Sequence, residues 1–341
     1  MRIAVVASPV TALRPAQLGG AQAFICDLAR GLTERGHDVT LHCASGSEVA
    51  GVRLVTVPAP RDAAVALVMP GGSQPPPTPG VARALDETFR TIRAMKVDVI
   101  SQHAFDAPAL ELSHGLPALH TLHLPPIVTT VVEAARKLPV GALATVSHSC
   151  QAQWRSAGVD VALVLPNGVA DIAVESRPTR SAMIAGRISP EKGIEHAIAA
   201  SRRAGLGVRL AGAHYDPTYV VDLEGVEQLG SLARDDLRRM MAASAVTVCA
   251  VRWEEPFGMV AAEAQMAGCP VAAYRRGALP EVVEEGVSGY LAEADDVAEL
   301  TAAVERCLTL DRASVRASAL RRLSLDGALD RYESAFMGVA R

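Results

Sequence analysis

The chain opens on an apolar run at residues 2–7, offers DVTLHC at 38–43 as the next strand, and returns to apolar runs at 53–57, 97–101, 117–121, 142–146 and 161–165. Between them lie loops and segments of helical period. The first of these follows Gly19-Gly20 and places Phe24, Ile25, Leu28 and Leu32 on one face. Short buried strands alternating with helices predict a parallel sheet with helices on both faces. The stretch 166–180, PNGVADIAVESRPTR, is polar and turn-rich and reads as an interdomain linker. The rhythm then restarts, with strands expected at 181–185, 207–211, 245–249 and 270–273 and helices at 193–204, 233–243 and 258–267. This predicts an α/β protein of two consecutive doubly wound parallel-sheet domains, 1–165 and 181–324. Residues 70–80, PGGSQPPPTPG, carry too much proline and glycine for helix or central strand and read as a mobile surface loop.

A length of 341 residues exceeds one ordinary core and agrees with two. The net charge of -4 and the scarcity of aromatic residues argue against a nucleic-acid partner, which would need a basic face or stacking platforms. The six cysteines (Cys26, Cys43, Cys150, Cys249, Cys269, Cys307) form no CxxC pair and read as small buried hydrophobes in a reducing, cytoplasmic setting. The first apolar run is too short for a signal peptide and leads into a glycine turn and a helix. No apolar stretch approaches the ~20 residues of a membrane span. A helix at 81–96 carries Arg83, Arg90, Arg93 and Lys96 against Asp86 and Glu87, a density that favours a solvated face over a membrane dock. Lysine occurs only at 96, 137 and 192 while arginine and alanine abound, a skew that suggests a GC-rich bacterial genome.

The candidate chemistry concentrates in RWEEPFGMVAAEAQMAGCP, residues 252–270. Glu255 lies ahead of an expected helix and Glu263 about two turns inside it, with Pro256 suited to the first helical position. Gly258 allows close approach of a ligand to the backbone. Two carboxylates that can grip sugar hydroxyls thus accompany a helix N-terminus that attracts phosphate. Upstream, GRISPEKG sets Arg187 and Lys192 at the carboxyl end of a strand, where a planar fork and a point charge can hold a diphosphate. Gly19-Gly20 opens the first helix with bare amides, without the GxGxxG pattern of dinucleotide sites. His120 and His123 in HTLHLPP, and His103 in SQHAFD, sit at strand ends; no Cys or His cluster accompanies them at zinc-ligand spacing. No GxSxG elbow attends Ser147-His148.

The glutamate string resembles the signature of family 4 glycosyltransferases, which transfer a sugar from a nucleotide donor. The resemblance runs from Gly19-Gly20 through GRISPEKG to the glutamate motif and on through GALPEVVEEGVSGY at 277–290. It implies the GT-B fold, two Rossmann-like domains facing each other across a cleft. The N-terminal domain would take the acceptor, with the tail at 325–341 crossing back onto it, and the domain 181–324 would take the donor. It further implies that Glu263 binds the donor ribose, Glu255 the sugar ring, and Arg187 and Lys192 the departing diphosphate. The amides of Gly19 and Gly20 and of Phe257, Gly258 and Met259 would assist. VEQLGSL would hold the nucleobase through backbone near Leu229 and Gly230, and His123 would orient the sugar. His103 is a candidate for the acceptor site. Three departures stand out: Cys249-Ala250 in place of the commoner Pro-Ser, Ala278 where a second glycine is usual, and Leu124-Pro125 after His123.

No Asp-x-Asp occurs, so metal-independent, retaining transfer is expected, with no cofactor beyond the nucleotide-diphosphate sugar, UDP or GDP being the expected carriers. A small metabolite or glycan is the expected acceptor. A GT-B sugar-nucleotide epimerase and a non-catalytic nucleotide-sugar-binding subunit stay open as alternatives.

Overall fold

The computed structural model describes residues 1–14, 19–67, 72–172, 177–216 and 218–340. Its first sheet is built from β1 (Arg2–Val6), β2 (Asp38–Ala44), β3 (Arg53–Val57), β4 (Val99–Gln102), β5 (Ala118–Leu122), β6 (Leu143–Thr145) and β7 (Leu163–Val164), in the order β3-β2-β1-β4-β5-β6-β7. Every pairing is parallel. β4 and β5 are buried at every position, as strands covered on both faces should be, and their polar residues Ser101, Gln102, His120 and Thr121 are buried with the apolar ones. The helix Gly20–Glu34 lays Phe24, Ile25, Leu28 and Leu32 into the core.

The second sheet contains β8 (Thr179–Ala185), β9 (Gly207–Ala211), β10 (Val226–Gly230), β11 (Ser244–Cys249), β12 (Val271–Tyr274) and β13 (Gly289–Ala292), in the order β10-β9-β8-β11-β12-β13. It too is parallel throughout. In both sheets the strand order reverses once, between β1 and β4 and between β8 and β11. The loops leaving two such strands diverge to opposite faces and open a crevice at the carboxyl edge, where ligands of doubly wound folds sit.

Two compact units result. One comprises the first sheet through Gly168 together with the C-terminal helix Leu325–Val339, and the other comprises Val169–Ser324. The helix packs Leu329, Tyr332 and Phe336 into the first core. The Tyr332 hydroxyl meets Thr121 Oγ1 at 3.0 Å, and Arg35 Nη1 reaches Asp330 and Glu333 at 2.7 Å each.

Some details differ from the sequence expectation. Strand β8 begins at Thr179, inside the expected linker, because its first residues bond across to the neighbouring strands; residues 173–176 of that stretch lie outside the described residues. Pro79 and Gly80 belong to the helix Pro79–Ala94, not to the preceding loop, since proline fits the first turn and Asp62 accepts from the Gly80 and Val81 amides. Within that loop Gln74 is tied to the Ile127 carbonyl and the Thr129 amide at 2.9 and 2.8 Å, while residues 70 and 71 lie outside the described residues. All six cysteines are buried, and none of them is joined in a disulfide among the described residues.

Candidate functional site

The reversal between β8 and β11 brings two distant stretches of sequence together. The loop after β8 carries Arg187 and Lys192, and the loop after β11 carries Trp253 and Glu255. Lys192 Nζ donates to Glu255 Oε2 at 2.8 Å, and Trp253 Nε1 donates to the same oxygen at 2.8 Å. The ammonium also lies 5.4 Å from the centre of the Trp253 ring. One carboxylate oxygen is therefore fixed by two donors, which orients the side chain. Arg187 is held by buried Glu191 at 3.1 Å and stacks 4.9 Å over the Tyr215 ring. The two loops are joined through backbone as well, Arg252 N donating to Glu191 O at 2.8 Å.

Glu255 leads into the helix Met259–Met266, whose N-cap is Gly258 at φ 96°. That left-handed backbone is open to glycine at little cost, and a Cβ here would stand 2.8 Å from Leu279 Cδ2. Pro256 precedes the helix and does not occupy its first position, which belongs to Met259; the left-handed turn at Gly258 delays the start. Glu263 consequently lies about one turn, not two, inside. The first amides of a helix lack intrahelical partners and carry the positive end of its dipole. Gly258 and Met259 supply such amides, with Phe257 immediately before them.

Glu263 is buried, and Arg234 Nε donates to its Oε1 at 2.5 Å while Arg238 Nη2 lies 3.5 Å from the same oxygen. Both arginines come from the helix Arg234–Ala242, just beyond β10. At the end of β10 the pairing with β9 slips between Gln228 and Gly230, so Leu229 is the extra residue of a bulge. A bulged residue falls out of the ladder and leaves backbone groups for other partners. Glu263 and the bulge at Leu229 are thus linked through one short helix.

In the first unit the ends of β4 and β5 carry His103 and His123, which the structure brings into contact. His103 Nδ1 and His123 Nε2 are 2.9 Å apart, and His103 Nε2 is 2.8 Å from Ser101 Oγ. Both rings are buried, packed with Phe24 and Tyr332. Burial holds both below the ordinary histidine range, with His123 lowered to about 4; for His103 the neighbouring His123 and His120 add to the effect. The two imidazoles are neutral near pH 7. His120, by contrast, turns to Ser113 Oγ at 3.1 Å and is lowered to about 3 by burial, with a smaller effect of His114. Gly20 opens the helix Gly20–Glu34, with Gly19 immediately before it.

The sequence pattern located Arg187, Lys192, Glu255 and Glu263 but not the side chains that hold them. Trp253 lies inside the motif and could have been noticed as an indole donor two residues from Glu255. Arg234 and Arg238 fall within the helix expected at 233–243, and nothing in their spacing points to Glu263. Among the described residues, no group of three or more His, Cys, Asp or Glu side chains is placed to hold a metal ion. No helix among them is long and apolar enough to cross a membrane.

Comparison with known proteins gives one family model on each half. "Glycosyltransferase Family 4" matches residues 18–171, and "Glycosyl transferases group 1" matches 179–310. Spore coat protein SA of Bacillus subtilis is 45% identical over 56 residues, 16% of this chain and 15% of that protein. The D-inositol 3-phosphate glycosyltransferase of Mycolicibacterium smegmatis is 32% identical over 179 residues, 48% of this chain and 41% of that protein. The chain thus spans less than half the length of the curated relatives it matches. Among solved structures, AviGT4, a glycosyltransferase involved in avilamycin A biosynthesis, superposes with a TM-score of 0.75 at 22% identity, covering 100% of this chain and 98% of its own. Anabaena Alr3699/HepE in complex with UDP-glucose gives 0.75 at 19% identity, covering 99% and 100%. With the two sheets, the glutamate string and both family models in agreement, the chain belongs to the family 4 glycosyltransferases of GT-B fold.

Proposed function

We propose that this protein transfers a glycosyl residue from a nucleotide-diphosphate sugar to a hydroxyl of a small-molecule or glycan acceptor, with retention at the anomeric carbon and without a metal ion. The observation that carries the reading is the Lys192–Glu255 pair at 2.8 Å beside the Gly258-capped helix start. A cation, a carboxylate and a set of helix amides at one crevice are what a sugar diphosphate requires: anion stabilisation at one end and hydroxyl recognition at the other. The solved HepE complexes with UDP and UDP-glucose support a nucleotide-sugar donor, with UDP ahead of GDP.

In this reading Glu263 receives ribose hydroxyls, and the backbone at Leu229 and Gly230 lies along the base. Glu255 binds hydroxyls of the transferred sugar, and His123 orients it. Arg187, Lys192 and the amides of Gly19, Gly20 and Phe257 to Met259 stabilise the diphosphate as charge develops. The bond from the anomeric carbon to the phosphate oxygen breaks, and its electron pair leaves with the diphosphate. The acceptor oxygen attacks from the same face and loses its proton to that phosphate oxygen, so no protein nucleophile is needed. His103 has both ring nitrogens engaged, so the acceptor role expected for it passes to other first-unit loops.

The test is product analysis with UDP- and GDP-sugars, with and without EDTA. Slow release of nucleoside diphosphate without acceptor, and a product that keeps the donor's anomeric configuration, are expected. Epimerised donor in the absence of acceptor, or inverted product, would overturn the reading.

A further inference from the structure

We propose that His103 is a positioning residue, which together with Ser101 forms a hydrogen-bond relay holding His123 in its Nδ1–H tautomer, so that His123 offers a donor to an oxygen of the bound sugar. The sugar contact rests on the reading of His123 given above; the relay does not.

The relay has three buried members in line. Ser101 Oγ meets His103 Nε2 at 2.8 Å, and His103 Nδ1 meets His123 Nε2 at 2.9 Å. The remaining nitrogen of His123, Nδ1, is buried and has no hydrogen-bond partner among the described residues. Because burial disfavours the imidazolium form of both rings, each imidazole carries a single N–H. The protons must then all run one way. In one arrangement Ser101 donates to His103 Nε2, His103 Nδ1–H donates to His123 Nε2, and the His123 proton sits on Nδ1. In the other, every donor and acceptor is exchanged, and His123 Nδ1 is bare.

Ser101 decides between them. Its hydroxyl is wholly buried, and His103 Nε2 is the partner the described residues give it. The first arrangement gives the hydroxyl hydrogen that nitrogen as its acceptor. The second makes the hydroxyl an acceptor, so that its hydrogen has no acceptor and His123 Nδ1 is a bare acceptor with no donor, two unpaired buried groups against the single His123 N–H that the first leaves. Neighbouring groups do not compete: the Tyr332 hydroxyl is turned to Thr121, and His120 to Ser113. Phe24 and Tyr332 pack against the pair at ring separations of 6.2 Å from His123 and 6.0 Å from His103, which restrains both imidazoles. His123 is left with a buried N–H that lacks an acceptor, and a sugar hydroxyl or ring oxygen is an acceptor of the matching kind.

The tautomer is read directly by long-range proton–nitrogen NMR on the full chain labelled with 15N-histidine, without substrate, between pH 8 and 6. The parent chain should show His123 protonated at Nδ1 and bare at Nε2. His103→Asn places an amide N–H where the imidazole N–H stood and should keep that pattern. His103→Asp places an acceptor there and should move the His123 proton to Nε2. A proton on Nε2 in the parent chain, or one tautomer shared by the Asn and Asp variants, would overturn the relay. In turnover, His103→Asn should stay within a few-fold of the parent in kcat/KM, while His103→Asp should fall by about tenfold or more, the scale of one misplaced hydrogen bond. Equal kcat/KM in two variants whose tautomers differ would overturn the sugar contact while leaving the relay in place.

Discussion

Lys192 and Glu255 stand 63 residues apart in the chain, yet their side chains meet at 2.8 Å where strands β8 and β11 lie side by side. The contact follows from topology. Both residues lie in loops leaving the two strands at which the order reverses, so a crevice forms with one cation and one carboxylate at its edge. Neither side chain is deeply exposed, at 18% and 14%, so their mutual field is less screened than that of a surface pair.

Replacing Lys192 by alanine removes the cation that the proposed mechanism places at the leaving diphosphate. Turnover should fall by roughly 10²–10³, about 2.7–4 kcal/mol, the scale of losing one preorganised oxyanion donor. Steady-state kinetics of Lys192→Ala decide this, and unchanged kcat would remove the residue from the mechanism.

Gly277 supports Glu255 from behind. Its φ is +57°, and a Cβ there would stand 2.3 Å from the Glu255 nitrogen and 2.4 Å from its carbonyl oxygen. Gly286 also has positive φ, at +82°, but nothing within 4 Å. Gly286→Ala should therefore cost only the left-handed backbone strain, ~1–2 kcal/mol. Gly277→Ala should cost more, because backbone must move, and should also depress turnover. Equal denaturation midpoints for the two variants would contradict this account of the Glu255 loop.

Acid should act on the first unit before the second. His42, His120 and His123 all belong to the first unit, and burial lowers them to about 4, about 3 and about 4, with Arg53 adding to the effect on His42 and His114 to that on His120. In the unfolded chain they titrate near the ordinary value of about 6.5. Between these limits the unfolded state binds protons that the native state refuses, so stability is full above pH ~6.5 and is lost as pH falls toward 4. Each such group contributes a slope of up to about 1.4 kcal/mol per pH unit. Trp154 is buried in the first unit and Trp253 lies in the second, which gives each unit its own fluorophore. In a Trp253→Phe variant, the remaining emission should report unfolding that begins below pH 6. A Trp154 signal unchanged down to pH 4 would contradict the burial of these histidines.

The C-terminal helix is an integral part of the first core. Phe336 is fully buried, so Phe336→Ala should destabilise that unit by ~3–5 kcal/mol. Tyr332→Phe strands the Thr121 hydroxyl in a buried site and should cost ~1–3 kcal/mol. Urea unfolding followed at Trp154 measures both, and effects below ~0.5 kcal/mol would place the helix outside the core.

What could be read from sequence tracks how local each signal is. Strands such as Arg2–Val6 and Val271–Tyr274 declare themselves through short, largely apolar runs, and Glu255 and Glu263 through a compact motif. Strand Val226–Gly230 carries no strand signal in the sequence, because Glu227, Gln228 and Gly230 at the sheet edge break the apolar pattern. Strand Gly289–Ala292 is only four residues long and follows a turn-rich stretch, so it too carries no strand signal of its own. The pairing of His103 with His123 joins two strands through the sheet, and the hold of Arg234 and Arg238 on Glu263 joins two helices. Such contacts have no one-dimensional period, so no spacing rule could expose them.

The measurement that bears most directly on the donor site is thermal unfolding of the purified chain with UDP, GDP, ADP and dTDP, each with and without EDTA. A ligand at 100 times its Kd adds about 2.7 kcal/mol, enough to raise the midpoint by several degrees. The expected result is a shift with UDP that EDTA leaves intact and that Glu263→Gln diminishes. No shift with any of the four nucleotides would contradict the diphosphate site built around Arg187, Lys192 and the Gly258 helix start.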